Sequence, residues 1–146
     1  MLLAEEAGVA VERFVGCDPY TGEAYRRRVG RPCLPYSWDD VAGGCLDADD
    51  CGEGGGGDGD VPSPSPRFAL CVCSFALHLC DASRLPGTLT ALARSCRVLL
   101  LLAPHKLPPI RCPGWGWMEG GDFTFPAAGR TGGRVRARLF FSNVWR

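Results

Sequence analysis

Phe68-Ala-Leu-Cys-Val-Cys-Ser-Phe-Ala-Leu-His78 and, further on, Arg97-Val-Leu-Leu-Leu-Leu-Ala103 decide the fold. Phe68 to Cys73 is almost continuously apolar, and Arg97 to Ala103 holds five consecutive large aliphatics before Pro104 stops it. Short uninterrupted apolar runs are the mark of strands covered on both faces by helices. Between them Phe75 to Cys80 begins a helix, and Leu85 to Ser95 is a second helical stretch with apolar residues at Leu85, Leu89, Leu92 and Ala93. Two covered strands joined through helices make a right-handed βαβ crossover. The expected class is α/β, a mostly parallel sheet with helices on both faces.

Upstream, Leu2 to Ala10 suits the last turns of a helix, and Val11 to Cys17 is a short strand stopped by Asp18-Pro19. Gly22 to Val29 reads as a helix that Pro32 closes, and Cys33 to Tyr36 as a further short strand. Ser37 is placed to cap a turn or short helix containing Trp38, Asp39, Asp40 and Val41. From 43 to 66 Gly, Asp, Ser and Pro dominate, which predicts a disordered acidic insertion within one domain spanning 1–146. Downstream, loop signals run from Pro108 to Gly121. The last strand, Arg134 to Val144, alternates Val135, Ala137, Leu139 and Phe141 on one face with Arg134, Arg136 and Arg138 on the other. This end is expected to form an antiparallel or irregular edge.

Charge bounds the partners. Lys plus Arg equals Asp plus Glu at 16 each, which argues against a dedicated nucleic-acid or membrane-surface protein. The nine cysteines are odd in number, and Cys71, Cys73, Cys80 and Cys96 sit inside apolar runs, so they read as reduced thiols of an intracellular, cytoplasmic protein. Glu5 and Glu6 stand where a targeting peptide would carry bases, and the longest apolar stretch is too short to cross a bilayer. No membrane partner is expected.

In open α/β sheets ligands bind beyond the carboxyl ends of the strands. The four strand exits read Asp18-Pro19-Tyr20, Trp38-Asp39-Asp40, Ser74 to His78, and Pro104-His105-Lys106. A carboxylate after such a strand can accept both hydroxyls of a ribose, which makes Asp18 the candidate nucleoside ligand. Taken in order, Val15 to Tyr20, Tyr36 to Asp40, Phe68 to His78 and Val98 to His105 resemble the second to fifth strand motifs of class I S-adenosylmethionine-dependent methyltransferases. The resemblance covers about residues 10–106. It implies a Rossmann-like sheet, S-adenosylmethionine as cofactor and methyl transfer to an unknown acceptor. It further implies Asp18 on the ribose, Trp38, Asp39 and Asp40 on the adenine, and Ser74 and Phe75 lining the cofactor. The family's first strand, with its Gly-x-Gly loop, has no counterpart before Leu2, so the sheet is expected to be incomplete, in a truncated or inactive protein. The alternatives are a non-catalytic binding or scaffolding module of the same fold, and an RNA-contacting accessory domain using the C-terminal arginines.

Other signals carry two readings each. His78 reads as a general base or as a packed helix residue, and His105 with Lys106 as a substrate-anion contact or a strand cap. Trp115 and Trp117 suit an aromatic lid, though a structural anchor is the stronger reading. Gly52 to Gly57 spells Gly-x-Gly-x-x-Gly without a preceding strand, and Asp47, Asp49, Gly52 and Asp58 mimic calcium-loop offsets with Cys51 in a ligand's place. Cys71 and Cys73 share one strand face and read as buried thiols rather than metal ligands. No metal is expected.

Overall fold

The computed structural model describes residues 14–47, 66–103, 108–127 and 133–145. The helix expected at 2–10, most of the 43–66 insertion with its glycine and calcium-like patterns, and His105 with Lys106 lie outside the described residues. The chain divides into two compact units, Met1–Ser37 and Trp38–Arg146.

In the first unit, β1 (Gly16–Cys17) pairs in parallel with β2 (Cys33–Leu34), and α1 (Gly22–Val29) connects them. Strands that run parallel cannot be joined by a tight turn, so an intervening helix is required. α1 has Glu23 in its first turn and Arg26, Arg27 and Arg28 in its last, the arrangement that complements the helix dipole. It ends at Gly30, whose left-handed backbone lets its N–H reach the Arg26 carbonyl at 2.9 Å.

In the second unit, α2 (Trp38–Ala42) packs beside α3 (Leu85–Ser95), with Thr88 Oγ1 donating to the Trp38 carbonyl at 3.4 Å. The sheet is β3 (Phe68–Ser74), β4 (Cys96–Ala103), β5 (Trp117–Pro126) and β6 (Arg134–Ser142), in the order β3-β4-β6-β5. β3 and β4 are parallel, while β4 with β6 and β6 with β5 are antiparallel. The core lies where α3 covers one face of this sheet: Leu85, Leu89 and Leu92 of the helix and Leu99, Leu101, Phe140 and Trp117 of the sheet are all nearly fully buried. Two polar bonds fix that seam. Trp117 Nε1 donates to the Leu89 carbonyl at 2.9 Å and Ser142 Oγ to the Ala93 carbonyl at 2.7 Å.

These observations correct the expected fold class. The sheet is mixed, with two of its three pairings antiparallel, and not a mostly parallel Rossmann-like sheet with helices on both faces. The physical reason is connection length. Only residues 127–133 separate β5 from β6, too few for the crossover a parallel pair needs. The first half of β5, residues 117–121, falls on residues read as loop. Nor does the four-stranded sheet have a missing centre, since hydrogen bonding runs unbroken from β3 through β4 and β6 to β5. Among the described residues, no helix is long and apolar enough to cross a membrane.

Candidate functional site

The candidate site of the first unit is the turn leaving β1. The backbone N–H of Asp18 donates to the Leu34 carbonyl at 3.0 Å, which carries the β1–β2 pairing up to the turn. The Asp18 carboxylate then holds the turn itself: Oδ1 accepts the N–H groups of Tyr20 and Thr21, each at 2.8 Å. An aspartate that folds back onto amides two and three residues on is a local alternative to a backbone turn. Partial burial pushes the Asp18 carboxyl upward, but the Thr21 and Tyr20 amides outweigh it and hold the group below its ordinary 3.8. Asp18 is therefore a fixed carboxylate at neutral pH. Nearby, the Tyr25 ring stacks on Phe14 at 6.5 Å, and its hydroxyl is buried without a hydrogen-bond partner among the described residues. Burial first, and then the neighbouring Cys33 thiol, push that phenol above its ordinary value.

In the second unit the expected site residues gather around the N-terminal end of α3. β3 ends at the exposed Ser74, and Phe75 follows with a left-handed backbone, φ 55°, its N–H donating to the Leu102 carbonyl at 2.9 Å. A left-handed aromatic is a costly conformation, held here by the β4 carbonyl. Leu77, almost fully buried, anchors the short 3₁₀ turn Leu77–Leu79 that carries the half-buried His78. Trp38 and Asp39 reach the same end through α2, where Asp39 Oδ1 meets Arg84 Nε at 3.3 Å with both side chains largely in water. An ion pair that exposed contributes little to stability. It does engage Asp39 with a cation, while Asp40 is exposed on α2. The segment Phe75 to Cys80, expected to start a helix, forms only this 3₁₀ turn.

Several other signals take their structural reading. Trp117 is fully buried with its indole N–H bonded, so it is a core anchor and no part of a lid, whereas Arg111 lies 5.9 Å over the Trp115 ring. The arginine stripe of β6 faces β5 acids. Arg136 pairs with Asp122, and Arg138 with Glu119 at 3.0 Å, while the Arg138 guanidinium also covers the Phe140 ring. Arg136 chiefly, and Arg138, hold the Asp122 carboxyl below its ordinary value. Sequence reasoning missed these partners because it did not read β5 as a strand. Cys73 is buried, and burial pushes its thiol up to about 12. Cys71, half-buried, lies well above its ordinary value as well, chiefly through its hydrogen bond with Cys96 and then through desolvation. Thiols held this far from ionisation are inert core residues. Among the described residues no three His, Cys, Asp or Glu side chains are grouped to hold a metal ion.

Comparison with known proteins bears on the fold more than on the chemistry. No family model matches the chain. An uncharacterised protein of Schizosaccharomyces pombe is 39% identical over 104 residues, covering 70% of this chain and 37% of that protein. The chain thus spans little more than a third of the length of the curated relative it matches. A solved structure with a TM-score of 0.50 and 16% identity covers 97% of this chain and 69% of its own. It is described by the conversion of a disulfide bond into a thioacetal group during echinomycin biosynthesis. At that identity the likeness is one of fold alone. The resemblance to class I methyltransferases is corrected on these findings: no family match supports it, the similar solved fold is described by thioacetal formation, and the sheet is mixed. Methyl transfer falls with it.

Proposed function

We propose that the chain binds a nucleoside-bearing small molecule through the Asp18 turn, with S-adenosylmethionine as the ligand to test. The observation that carries this reading is the state of the Asp18 carboxylate: ionised, fixed by two backbone amides, and placed at the carboxyl end of a parallel strand pair. A parallel strand-helix-strand unit presents acidic groups to ribose hydroxyls from that position. The donor and acceptor chemistry fits. Oδ1 accepts the two turn amides and the Thr21 side chain also bonds the carboxylate, so a vicinal diol would meet the acceptor capacity that remains, and hydrogen bonds to a charged acceptor are the strong ones. We also propose an intracellular, cytoplasmic location, which accords with the finding that none of the described cysteines is in a disulfide bond.

Asp18→Asn separates binding from folding. The amide oxygen still accepts the Tyr20 and Thr21 N–H groups, while the anionic second oxygen becomes an NH₂. Calorimetry with S-adenosylmethionine should give binding to the native chain and an affinity about 10-fold to 100-fold lower for Asp18→Asn, the loss of one or two charge-assisted bonds. No heat with the native chain, or equal affinities, would overturn the reading.

A further inference from the structure

The charges of the four-stranded sheet are distributed the opposite way from what a solvent-facing sheet needs. Cross-strand register places Arg97, Glu119, Asp122, Arg134, Arg136 and Arg138, every charged residue of the four strands, on the face that carries α3. The other face is apolar apart from Ser74 at the end of β3. Leu70 and Val72 on β3, Phe141 on β6, and Met118, Phe123 and Phe125 on β5 share it, each 38% to 53% exposed. Leu100 and Leu102 lie between them, half-buried. An antiparallel sheet with one wet face normally carries polar residues there. This one keeps its ion pairs on the α3 side, where they are exposed beside the helix, and leaves aromatics in water on the other.

We propose that this face is the interface of a two-fold pair of copies of the chain. Three observations select a second copy as the occupant. The first is area: aromatic side chains bring roughly 150–250 Å² each, so three phenylalanines about half exposed, with the smaller Leu70, Val72 and Met118 beside them, offer on the order of 500 Å² per copy. Two copies then bury on the order of 1,000 Å², the size a specific interface must clear. A patch that size is also at the upper end of what a lone protein leaves in water. The second is charge. A two-fold axis sets each residue against the same patch, so a charged face would repel its own copy, and this face holds no charged strand residue. The third is relief. The Phe141 ring lies over Gly120, within 2.3 Å of where a Cβ would stand, and the Phe123 ring over Gly121 at 2.8 Å. The rings fill the space that side chains at 120 and 121 would take, giving a low surface of the kind two sheets need to pack about 10 Å apart.

Sedimentation of the full chain tests this. The native protein should sediment at twice its 15.7 kDa mass, and the pair Val72→Lys with Phe123→Lys should sediment at half the native mass with an unchanged far-ultraviolet spectrum. Phe125→Lys alone, near the end of β5, should weaken association without touching the α3 core, and Thr124→Lys, on the same strand but the opposite face, should leave it intact. A monomeric native chain would overturn the proposal, and would point to cover from another segment or another protein. A dimer that survives the lysines on the apolar face would overturn it equally.

Discussion

Trp117→Ala is expected to destabilise the sheet unit by about 3–5 kcal/mol, the usual cost of emptying a large aromatic from a core. Trp117 has no exposed surface, and it stands at the first residue of β5, where α3 meets the β5–β6 edge. Removing it leaves a void bordered by helix and sheet elements that hydrogen bonds already fix, so little collapse is available. The indole N–H to the Leu89 carbonyl is lost too. Trp117→Phe should keep most of the packing and cost about 1 kcal/mol, the net worth of that bond. Urea unfolding followed by far-ultraviolet dichroism separates the two variants. A Trp117→Ala loss below about 1 kcal/mol would place the indole outside the core.

Gly116→Ala is expected to cost about 2–5 kcal/mol, from two sources that a control can separate. The backbone at Gly116 has φ +86°, and an added Cβ would stand 2.6 Å from the Cβ of Ala93, a residue with no exposed surface. The left-handed backbone disfavours any side chain by roughly 1–2 kcal/mol, and the clash adds an overpacking cost because Ala93 belongs to the covered side of α3. Gly30 is the control. Its φ is +71°, yet nothing lies within 4 Å of the added Cβ, so Gly30→Ala should show the backbone cost alone. Equal losses at the two positions would mean that Ala93 yields freely.

Much of the fold was legible because apolar periodicity survives in single elements. β3, α3 and β4 lie where the runs Phe68 to Cys73, Leu85 to Ser95 and Arg97 to Ala103 put them, and α1 spans Gly22–Val29 as its pattern indicates. What burial each strand has was harder to read. The five aliphatics of β4 suggest cover on both faces, but only Leu99 and Leu101 lie deep under α3, while Leu100 and Leu102 face the other way. An apolar run states a need for burial and does not name its partner. β5 was hidden for a local reason. Its Gly120, Gly121 and Asp122 look like turn residues, and the register shift between Glu119 and Gly121 breaks the two-residue alternation that would have marked Met118, Phe123 and Phe125 as one face. With β5 unread, the partners of Arg136 and Arg138 were unread as well. At the candidate site, the sequence singled out Asp18 as an acidic residue at a strand exit. It gave no sign that Oδ1 would be spent on Tyr20 and Thr21, nor that Asp39 would face Arg84.

The central functional claim is that the carboxylate at position 18 reads a ribose diol, and the ligand's own hydroxyls test it without altering the protein. Adenosine and its 2′,3′-dideoxy counterpart, titrated into isotope-labelled native chain, should both be followed through the amide signals of Tyr20 and Thr21. Adenosine should move those two signals and bind about 10-fold or more tightly than the dideoxy compound. Equal affinities, or shifts that leave the Asp18 turn undisturbed, would contradict it.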